Sequence, residues 1–174
     1  MTDPRPSAPL FFSQLMLDYL NSADSLAAGV PTAAELPRVV LDAGTIQTVP
    51  GLVITAQEQS GGASAKKVMH VMFAVLYQLR ASGADAAADA ASLAHSTTFI
   101  AASRMHDLVA SRLANVAAFR AFLNTTTTRD SGVQIMHYRR LKDPDMQRED
   151  KPTPRHELMC AVEVQALFLP QRLL

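Results

Sequence analysis

The chain has a single cysteine, Cys160, among 174 residues, which excludes an intrachain disulfide and suits a reducing interior. It has no surplus of charge either: sixteen basic and sixteen acidic residues cancel. A nucleic-acid binder needs an excess of Lys and Arg to neutralise phosphates, so this balance argues against that class of partner. It also leaves little net repulsion to oppose self-association. Long hydrophobic runs are missing: nothing approaches the roughly 20 apolar residues that cross a bilayer, so no membrane partner is expected. The nearest candidate for an export signal, Pro9 to Leu17, is interrupted by Ser13 and Gln14 and has no basic cluster before it. Phosphate-binding glycine loops are missing too. Gly61-Gly62 has neither fingerprint around it and reads as a flexible turn.

What is present is a folded composition, 48% hydrophobic and 18% charged, in a length that suits one domain spanning 1–174. Its most informative stretch lies between Lys66 and Arg80. Met69, Val71, Phe73, Val75, Tyr77 and Leu79 alternate with Val68, His70, Met72, Ala74, Leu76 and Gln78. Successive side chains of a strand point to opposite faces, so one face of this strand is wholly apolar and needs a cover. The other face is half apolar, which predicts a further element or another subunit there. At ~3.3 Å per residue the run spans on the order of 40 Å, long for a chain of this size.

Ahead of it, a Pro-rich start over 1–8 is expected to be loose. Phe12, Leu15, Met16 and Tyr19 then recur at helical spacing and predict a helix from Pro9 to Ala27. Thr32 to Glu35 has the form of a capping box, cut short by Pro37. Short strands are expected over Arg38 to Leu41, Thr45 to Val49 and Leu52 to Gln57, the last joined to the long strand by a polar hairpin tip, Glu58 to Ala65. Past Gly83 the period becomes 3.6 and persists to about Leu123, with a bend at Ala114-Asn115. Two strands, Val133 to Leu141 and Leu158 to Phe168, close the chain around a polar, Pro-containing stretch, 142–156, that reads as an extended exposed loop. The sum is an α+β fold: an antiparallel or mixed sheet with a long hairpin, packed against one long helix, plus an N-terminal helix.

Reactive chemistry is sparse. His95 and His106 lie about 16 Å apart along a helix, too far to share a metal whose ligands sit ~2 Å from it. His70 and His137 fall on strands with no acidic or cysteine partner at ligand spacing in the sequence. Cys160 lies on the face assigned to the core, where a thiol is inert. Tyr138-Arg139-Arg140 reads as a solvated or salt-bridged face. No catalytic residue, metal site or cofactor is expected. The candidate contact residues are Arg148, Glu149, Asp150 and Lys151 in the long loop, whose opposite charges suit a partner or a copy of the chain, and Glu58, Gln59 and Lys66 at the hairpin tip.

The order of N-terminal helix, short strands, long hairpin, major helix after an alanine-rich start and closing strand pair, over approximately Pro9 to Phe168, resembles the tail-terminator (tail completion) proteins of long-tailed bacteriophages and prophages. Val49-Pro-Gly-Leu-Val-Ile-Thr-Ala56, entering the hairpin, shares their style. The resemblance implies a ring, commonly of six subunits, that caps the finished tail tube and meets the head-side connector. It implies residence in the virion after assembly in the host cytoplasm, and it carries over no functional residue. Two alternatives stand beside it: another phage neck or head-completion protein, and a small cytosolic enzyme or binding domain using His70, His106 or His137.

Overall fold

The computed structural model describes residues 7–40, 50–59, 66–78, 97–125, 133–142, 147–149 and 155–168. Its elements, in order, are α1 (Ala8–Asn21), α2 (Ala23–Ala27), β1 (Arg38–Val40), β2 (Gly51–Glu58), β3 (Lys66–Gln78), α3 (Thr97–Ala114), α4 (Val116–Thr125), β4 (Val133–Arg140), β5 (Gln147–Glu149) and β6 (Arg155–Phe168). The fold is α+β. The strands form one mixed sheet in the order β1-β2-β3-β6-β4, with β5 beside the start of β6. Among the described strands only the β1–β2 pair is parallel.

The centre of the sheet is the pairing of β3 with β6, which runs antiparallel from Lys66 opposite Leu167 to Gln78 opposite Arg155. The alternation of β3 holds from Val68 to Val75: Met69, Val71, Phe73 and Val75 are fully buried or nearly so, while Val68, His70, Met72 and Ala74 are half-buried; Leu76, on the second face, is buried instead, and Leu79 lies outside the described residues. Their apolar face meets Cys160, Val162, Val164 and Ala166 of β6 and Leu52, Ile54 and Ala56 of β2 in the main core cluster. Phe12, Leu15, Met16, Tyr19 and Leu20 of α1 and Ala102, Val109 and Leu113 of α3 cover that face from above. Each large side chain buried this way contributes about 1.5–3 kcal/mol before chain entropy is counted.

The helices break where polar side chains compete for the backbone. The helix expected over Pro9 to Ala27 is two helices, because the Ser22 hydroxyl donates to the Tyr19 carbonyl and accepts from the Ser25 amide, ending one helix and capping the next. Gly29, at φ 91°, then closes α2: its amide bonds to Leu26 and that of Val30 to Ser25. The Thr32–Glu35 capping box forms reciprocally and lasts one turn. The bend at Ala114-Asn115 is a break at Asn115, whose side-chain oxygen accepts from the Ala118 amide at 3.0 Å and starts α4.

Two buried phenols secure that break. Tyr19 donates to the Arg112 carbonyl at 3.1 Å, which also accepts from the Asn115 amide, and Tyr138 donates to the Leu113 carbonyl at 2.6 Å; both acceptors lie in the last turn of α3. Burial holds both phenols above their ordinary pKa, so both remain donors.

Two further expectations change. The stretch 142–156 is not loop throughout: Gln147–Glu149 forms β5, and β6 starts at Arg155, because the polar residues there pair backbone to backbone at the end of a long strand. Helix α1 begins at Ala8, inside the stretch expected to be loose. The two closing strands pair antiparallel as expected, and the last of them also pairs with β3 on its other side. The strand expected over 45–49, the helical start over 84–96 including His95, and Gly61-Gly62 lie outside the described residues.

Candidate interaction surface

Because β3 and β6 alternate, the face turned away from the helices has its own cross-strand rows. Gln57, His70, Glu163 and Arg139 make one row; Thr55, Met72 and Ala161 the next; Val53, Ala74 and Met159 the one beyond. Among the described residues no helix packs on this outer face: its small apolar cluster of Val53 and Leu76 with Val39 and Ala74 contains strand residues alone. At that end Val53 and Leu76 are buried, whereas Thr55, Val68, His70, Met72, Ala74 and Met159 keep part of their surface accessible.

Glu163 organises the polar part. It is the one charged residue between Leu158 and Phe168, and it is only 6% exposed. A carboxylate on so apolar a strand must be paired. Arg139 supplies two bonds, Nε to Oε1 at 3.1 Å and Nη2 to Oε2 at 2.9 Å, the forked geometry that favours the charged pair. Gln165 Nε2 donates to Oε1 at 3.0 Å, and His70 Nε2 lies 3.3 Å from Oε2. The Arg139 bonds, with help from Gln165 and His70, outweigh desolvation and hold the Glu163 pKa down at about 2. The carboxylate is covered by its own partners lying flat on the sheet, not by depth in the core. Arg139 remains 57% exposed, and its pKa is raised in return by the same bonds.

This network is what the sequence did not disclose. His70 and Glu163 are 93 residues apart, and the acidic partner that His70 lacks locally arrives through the β3–β6 register. The solitary Glu163 in an apolar strand was the available signal: it required a partner without naming one.

The three histidines do not meet. His70 and His137 stand on β3 and β4 with β6 between them, which separates them by roughly 10 Å or more. His106 instead has its Nε2 3.2 Å from the Met159 carbonyl and its Nδ1 3.3 Å from Asp107. That carbonyl lies where β6 runs between the end of β4 and the start of β5, and His106 lies within bonding reach of it. No group of three or more His, Cys, Asp or Glu able to hold a metal occurs among the described residues. Cys160 is buried, and desolvation pushes its thiol up to about 12, away from nucleophilic use.

The contact residues expected from sequence sit at opposite ends of the sheet. Glu58, in an ion pair with Lys67 at 2.7 Å, Gln59, whose amide donates to Val68, and the exposed Lys66 gather where the β2–β3 hairpin nears its tip. Arg148 and Glu149 lie in β5 opposite His156 and Arg155, at the other end of β6 and on the order of 40 Å away along the strand. Asp150 and Lys151 lie outside the described residues. Edge strand β4 carries a bulge between Ile135 and His137, which leaves Met136 56% exposed. No described helix is long and apolar enough to cross a membrane. Neither a protein-family model nor a curated protein matches the chain.

Proposed function

We propose that the chain is a structural assembly protein whose copies close into a ring, in the manner of the tail-terminator proteins it resembles, and that the ring caps a phage tail tube and joins it to the head-side connector. The outer sheet face carries this reading. Half-buried apolar side chains there, Val68, Met72, Ala74 and Met159, surround an ion pair whose charges are already matched, so a second protein surface can cover them without stranding a charge. Zero formal net charge removes the repulsion that would keep copies apart. The hairpin end with Lys66 and the β5 end with Arg148 and Glu149 point in opposite directions along the strands, as a ring needs if it is to contact a tube on one side and a connector on the other. The chemistry is that of surfaces, with no step for His70, His106 or His137 to perform.

Electron micrographs of the purified protein test it. Ring-shaped particles of uniform diameter are the expected result; a preparation containing nothing larger than the single chain contradicts it.

A further inference from the structure

We draw no further inference here: the strongest candidate, the half-buried apolar patch of Met72, Ala74 and Met159 on the outer face of the sheet, belongs to the surface already described, and nothing in the structure shows what covers it.

Discussion

Glu163 shows how one residue can tie several strands together. Its pKa is held at about 2, below the ordinary carboxylate value of 4.5, so the stability it contributes is complete above about pH 4.5 and is lost as the pH falls towards 2. Because Arg139 is more than half exposed, solvent screening reduces that contribution. Glu163→Gln should therefore unfold at a lower denaturant concentration than the wild type at pH 7, with the two converging near pH 2. A difference that stayed constant from pH 7 to pH 2 would show that the charge of Glu163 is not what links β3, β6 and β4. Sequence alone puts Glu163 with Gln165 on the polar face of the closing strand. It could not disclose Arg139 or His70, because strand register is set by pairing across the sheet, and that information is spread over more than ninety residues.

Among the elements, legibility followed how local the cause was. The alternation of β3, the helical stripe of α1, the capping box at Thr32 and the break at Asn115 all arise from spacings of a few residues, and each reads directly from the chain. The split at Ser22 is also local, but it depends on a serine hydroxyl taking backbone bonds that a continuing helix would have used. The extension of β6 back to Arg155 and its pairing with β5 were hidden, since the residues concerned are polar and gain strand structure from a neighbour, not from a buried face. Asn115 offers the test at this scale. Removing its cap by Asn115→Ala should cost about 1 kcal/mol in a denaturation experiment, because the Ala118 amide loses its acceptor. The fold should survive, since Tyr19 and Tyr138 still hold the end of α3; a loss of cooperative unfolding would show that the asparagine, and not the phenols, fixes the break.

At the scale of the whole molecule, the described helices cover one side of the sheet, and among the described residues none lies on the other. Burial of the apolar parts of that side would contribute ~25 cal/mol per Å² before the costs of association, enough to favour assembly only if the surface that covers it fits closely. The α+β architecture was legible from periodicity, whereas the surface proposed for assembly emerged only when the strand order placed Met72, Ala161 and Met159 side by side with the Glu163 network. The measurement that bears most directly on this account is the mass of the wild-type protein in solution, by native mass spectrometry or light scattering over a range of concentrations. A single assembly at a fixed multiple of 18.8 kDa, six in the proposed ring, is the predicted result. A chain that remains at 18.8 kDa at the highest concentration reached would contradict it.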